Sequence, residues 1–131
     1  MTKEEKEIVN MWIESIEDTI ENHKEAEKRS MDYFKYMDKN DICCPLCKTT
    51  RILIEDLKYY EVFKARLFKA GCELCPWTVY KEGMCYEFIE ESGELEVSNY
   101  DKSIARLESW LDNFKNKPEE YLIKTNKWRR K

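Results

Sequence analysis

The sequence predicts a mainly α fold with one small β-hairpin, an α+β chain. A long N-terminal helix, a central helix, the hairpin and two C-terminal helices are expected in that order. Three observations carry this expectation. Apolar residues recur at helical spacing in the first, middle and last thirds of the chain. Two Cys-x-x-Cys pairs bracket the central helical segment, and two aromatic-rich runs flank Glu82-Gly83.

The first helix is expected over residues 2–39. Thr2-x-x-Glu5 is a capping-box pattern, in which each side chain satisfies one unpaired backbone N–H. Ile8, Trp12, Ile16 and Ile20 form a stripe that Val9 and Ile13 widen, and Met31, Phe34 and Met37 resume it. The stretch from Glu21 to Arg29 is polar, but no Gly or Pro interrupts it, so one continuous helix is favoured over two meeting near Asn22–Lys24. Asn40-Asp41 supplies the stop.

The central helix is expected over residues 51–70, capped by Thr49 or Thr50 and closed by Gly71. Leu53, Leu57, Tyr60, Phe63 and Leu67 share one side, and Ile52, Tyr59 and Phe68 broaden the arc. So wide an arc is expected at the centre of the core. Residues 77–89 read as the hairpin, with strands at 77–81 and 84–88. Ser98-x-x-Asp101 starts the next helix, along which Ile104, Leu107, Trp110, Leu111 and Phe114 make one stripe. Pro118 opens the last, with Glu119 and Glu120 suited to its N-terminal dipole.

With 131 residues the chain has the length of a single domain, residues 1–131, and the segment 43–89 is its expected metal-binding core. Hydrophobic residues make up 42% and aromatics 13%, which argues against disorder. Charged residues reach 38%, so the core is thin for the chain length and calls for a staple. No run approaches the roughly 20 apolar residues of a membrane span. The acidic N-terminus has no apolar segment of a signal peptide, which makes the reducing cytoplasm the expected compartment.

Six cysteines in that compartment read as metal ligands in preference to disulfides. Cys44-Pro45-Leu46-Cys47 and Cys72-Glu73-Leu74-Cys75 are paired knuckles, each able to aim two thiolates at one ion. Cys85 competes for a place, so four of Cys44, Cys47, Cys72, Cys75 and Cys85 are expected to hold a structural Zn²⁺. Cys43 is expected to be a small buried residue. The rival chemistry is redox, since Cys44-x-x-Cys47 precedes a helix. The chain lacks the strand pattern of a thioredoxin-like setting.

No catalytic residues are expected, and the protein is read as non-enzymatic. His23, the one histidine, sits in a charged run and reads as a surface or interface side chain. Carboxylates lie on helical faces with lysines three or four residues away. Residues 1–41 hold 12 acidic against 7 basic side chains, an acidic surface suited to a protein partner. The same amphipathic helix could serve as a seam for self-association. The alternative is a nucleic-acid-binding regulator using Lys58, Arg66 and Lys69 of the central helix with Arg129 and Arg130 of the tail.

At Cys44-Pro45-Leu46-Cys47, Cys72-x-x-Cys75-Pro76 and Gly83-x-Cys85 the chain resembles a loose group of small uncharacterised zinc-binding bacteriophage and prophage proteins. The resemblance covers residues 43–86. In that group a Thr-Pro-Tyr segment often follows the last cysteine, where this chain has Tyr86-Glu87-Phe88. The resemblance implies a zinc-binding phage protein and counts Cys85 within the pattern. A phage protein of this kind would work in the host cytoplasm, inhibiting or modulating a host protein.

Overall fold

The computed structural model describes residues 1–63, 74–80 and 100–129. In chain order its helices are α1 (Lys3–Lys28), α2 (Tyr33–Lys39), α3 (Pro45–Glu55), α4 (Leu57–Phe63), α5 (Pro76–Val79), α6 (Tyr100–Asn116) and α7 (Pro118–Arg129). Helix α1 is the spine. Helix α6 lies along it, α2, α3 and α4 pack against it, and α7 packs on α6, α4 and α5. The expectation that the central segment would form the core's centre is corrected by this arrangement.

The capping box forms as the sequence implies. The Glu5 N–H donates to Thr2 Oγ1 at 3.1 Å, and the Thr2 N–H donates to Glu5 Oε1 at 3.0 Å. Ile8, Trp12 and Ile16 are wholly buried, and Trp12 packs between two aromatic rings. Its ring centroid lies 6.3 Å from that of Phe114 and 5.9 Å from that of Tyr121. Phe114 and Tyr121 are themselves 5.1 Å apart, so α1, α6 and α7 meet at one aromatic cluster.

The long first helix is not continuous. It stops at Lys28 without Gly or Pro, because Ser30 adopts a left-handed φ of 53°. The Met31 N–H then donates to the Ala26 carbonyl, and the Ser30 N–H to the Glu27 carbonyl, each at 3.0 Å. Those two bonds define a Schellman motif. Asp32 caps the next helix by accepting from the Phe34 and Lys35 N–H groups. Helix α2 ends by the same device. Asp41 has φ 54°, and the Ile42 N–H donates to the Met37 carbonyl at 2.8 Å.

The central helix starts earlier than the spacing suggested. Pro45 occupies the first turn and Cys44 the N-cap position, so Thr49 and Thr50 fall inside α3 and are buried. It also breaks, because Asp56 leaves the helical region and its Oδ1 accepts from the Lys58 N–H at 3.0 Å. The Thr49 and Ser15 hydroxyls meet where α3 packs on α1.

The β-hairpin is corrected. Its first expected strand is instead the helical turn α5, and among the described residues there is no strand. Pro76 presets φ for a helical turn and has no N–H to offer a sheet. The Val79 N–H donates to the Cys75 carbonyl at 3.0 Å, and that of Tyr80 to the Pro76 carbonyl at 3.1 Å. Tyr80 then packs on Trp110 and Phe114 of α6. The expected second strand, at 84–88, lies outside the described residues.

Among the described residues, no helix is long and apolar enough to cross a membrane.

Candidate functional site

The start of α3 brings Cys44 and Cys47 together. Cys44 is the N-cap residue with ψ 120°, and Cys47 is three residues on, in the first turn. Cys47 hydrogen-bonds to the Cys44 sulfur. The Cys44 sulfur makes no cap bond of ordinary geometry, yet the Cys47 and Leu46 N–H groups lie near enough to favour its thiolate. The Cys47 contact chiefly, with these N–H dipoles, outweighs burial and lowers the Cys44 thiol to about 6. Cys47 is exposed and Cys44 partly covered. Cys43 is also exposed, which corrects its expected burial.

A buried aromatic group backs this pair. Tyr33 of α2 is raised out of its ordinary range by burial first and by the Cys44 charge second. Against Tyr33 lies His23, with ring centroids 3.9 Å apart, and Tyr100 meets His23 edge-on at 5.8 Å. The Tyr100 hydroxyl donates to the Met31 carbonyl at 2.6 Å, fastening α6 to the α1–α2 turn.

His23 is therefore a core residue and not a surface one. Only 2% of it is exposed, and Nδ1–H donates to the Thr19 carbonyl at 2.8 Å. Burial lowers its imidazole to about 4 despite that bond. Sequence reasoning missed His23, Tyr33 and Tyr100 as neighbours of the cysteines. The available signal was spacing, since His23 continues the Ile16–Ile20 stripe.

The other expected ligands are placed differently. Cys75 is buried beside Tyr121, whose hydroxyl donates to the Leu74 carbonyl at 2.7 Å. Cys72 and Cys85 lie outside the described residues. Among the described residues no three His, Cys, Asp or Glu side chains are grouped as a metal ion would need. The Cys44–Cys47 pair nonetheless has the donor chemistry of half a four-sulfur zinc site: two adjacent sulfurs, one ionised near neutral pH.

Of the basic residues considered for nucleic acid, Lys58 is committed elsewhere. Its Nζ pairs with Glu7 Oε2 at 2.9 Å and lies 4.8 Å from the Tyr59 ring centre. The Tyr59 hydroxyl donates to the same Glu7 oxygen at 2.8 Å. Arg129 is the last residue of α7, while Arg66, Lys69 and Arg130 lie outside the described residues. On α1, Glu14, Glu17, Asp18 and Glu21 are all exposed, and their spacing aligns them along one ridge of the helix.

No protein-family model, curated protein or solved structure matches this chain.

Proposed function

We propose that this chain is a zinc-stabilised, non-enzymatic binding protein that meets a basic surface of a partner protein through the acidic ridge of α1. The observation that carries the metal half is the contact between Cys44 and Cys47 at the start of α3. These two would supply half of a four-sulfur set, with the remainder drawn from Cys72, Cys75 and Cys85. Zinc bound by thiolates supplies on the order of 10 kcal/mol toward folding, comparable to the whole net stability of a domain. The chain's own part is to present ionised sulfur at a fixed helix start, with Tyr33 closing one side.

The partner half is supported by the ridge of Glu14, Glu17, Asp18 and Glu21, four exposed carboxylates on the rigid spine. The resemblance to phage proteins makes a host protein the partner to seek. The nucleic-acid alternative is supported less, because the Glu7 carboxylate already neutralises Lys58. Comparing the protein's mass under native and denaturing conditions tests the metal: one zinc per chain is expected, and none ends that half. Reversing the four ridge charges should weaken partner capture, whereas undiminished capture would remove the ridge from the proposal.

A further inference from the structure

We propose that Cys44 and Cys47 form a reversible intrachain disulfide by exchange with small disulfides such as oxidised glutathione. Within a helix, residues three apart hold their Cβ atoms about 5–6 Å from each other, wider than the roughly 3.5–4.5 Å of a disulfide. Cys44 escapes that limit because it is the N-cap residue, with ψ 120° in place of a helical value. Its side chain can therefore turn back over the first turn. The hydrogen bond between the two side chains records that their sulfurs already approach. Bond formation asks for a local adjustment at one non-helical residue and leaves α3 intact.

Exposure orders the steps. Cys47 is exposed and Cys44 partly covered, so an incoming disulfide reaches the Cys47 sulfur first. That sulfur, losing its proton to solvent, attacks one sulfur of the small disulfide, whose S–S bond breaks and releases one small thiolate. The Cys44 sulfur, likewise deprotonated, then attacks the Cys47 sulfur. A Cys44–Cys47 bond forms, the mixed disulfide breaks, and a second small thiolate leaves. Two protein thiols are oxidised, one small disulfide is reduced to two thiols, and the protons end on those thiols. Cys43 is also exposed, but it precedes the helix and takes no part.

The disulfide does not depend on zinc. Its consequence for metal rests on the reading above, because oxidised sulfurs are no longer thiolate ligands. The test equilibrates the full-length protein, with chelator or with zinc, in buffers of increasing oxidised glutathione. Remaining thiols are then alkylated and the tryptic peptide 40–48 is weighed and fragmented. In the chelated sample the peptide should become two hydrogens lighter than its reduced form, with its single alkyl group on Cys43. Cys43→Ser should keep the bond, and reductant should reverse it. A peptide that stays alkylated at all three cysteines, carries only glutathione adducts, or holds its alkyl group on Cys44 overturns the proposal. If the disulfide forms in a protein that binds no zinc, the metal reading fails and this one stands. If zinc binds but the chelated peptide never oxidises, the reverse is true.

Discussion

The imidazole of His23 lies against the ring of Tyr33, with centroids 3.9 Å apart, in a pocket closed edge-on by Tyr100. This pocket has a consequence for pH. His23 is lowered to about 4 in the folded protein by burial, against about 6.5 in an unfolded chain. Between those values the unfolded chain binds the extra proton, so stability rises with pH through the window. The full contribution is present above about 6.5 and is lost as pH falls toward 4. The difference corresponds to about 3 kcal/mol. Tyr33 and Tyr100, which face the ring, are raised by burial and stay neutral throughout. Denaturant unfolding at pH 7 and pH 4.5 should show this loss in the wild type. His23→Phe should flatten it, and a slope that survives would assign the effect to other groups.

The two helix stops give a second prediction. Ser30 and Asp41 hold left-handed φ values of 53° and 54°, a conformation that costs a residue with a Cβ about 1–2 kcal/mol. Glycine has no such cost, although its unfolded chain gains entropy that offsets part of the benefit. Ser30→Gly should therefore raise stability by up to about 1 kcal/mol, read as a higher urea midpoint. Ser30→Val should lower it, because a β-branched residue fits the left-handed region worst. Equal midpoints for the two variants would contradict the Schellman geometry.

These stops also show what was legible in the sequence. The capping box at Thr2 and Glu5, the stripe from Ile8 to Ile20 and the Pro118 start could be read directly, because each depends on residues within one turn. The break at Ser30 could not be read from a search for Gly or Pro. Its signal was the pair Ser30 and Asp32, a residue tolerated in the left-handed region followed by a strong N-cap. The hairpin failed for a related reason. Aromatic and β-branched residues at 77–80 suit a strand, but Pro76 sets a helical turn and α6 supplies the packing for Tyr80. Cys44 and Cys47 were legible as a pair. The aromatic wall beside them was not, because Tyr33 and Tyr100 reach it from distant points of the chain.

Trp12 anchors the meeting of α1, α6 and α7, wholly buried against Phe114 and Tyr121. Trp12→Ala should cost about 3–5 kcal/mol, since the surrounding rings cannot close so large a void. Trp12→Phe should cost less, because most of the ring contact is kept. Thermal unfolding followed by circular dichroism would rank them. An alanine variant within 1 kcal/mol of wild type would mean that the cluster contributes little to holding the three helices together.

The three neighbouring cysteines should separate cleanly in their effect on metal. Cys43 is exposed and lies before the helix, whereas Cys44 and Cys47 touch across its first turn. Cys43→Ser should leave zinc content unchanged by native mass. Cys44→Ser and Cys47→Ser should each lower it, because a serine oxygen is a poorer soft-metal donor than a thiolate. The zinc-loaded wild type should also melt higher than the chelated protein, and this gap should shrink in the two knuckle variants but not in Cys43→Ser. Reading the gap within each variant separates loss of metal from loss of fold, since a serine that merely loosens packing lowers both melting points together. A Cys44→Ser protein that keeps both its zinc and its full melting gap would exclude Cys44 as a ligand. The four sulfurs would then have to come from Cys47 and the later cysteines.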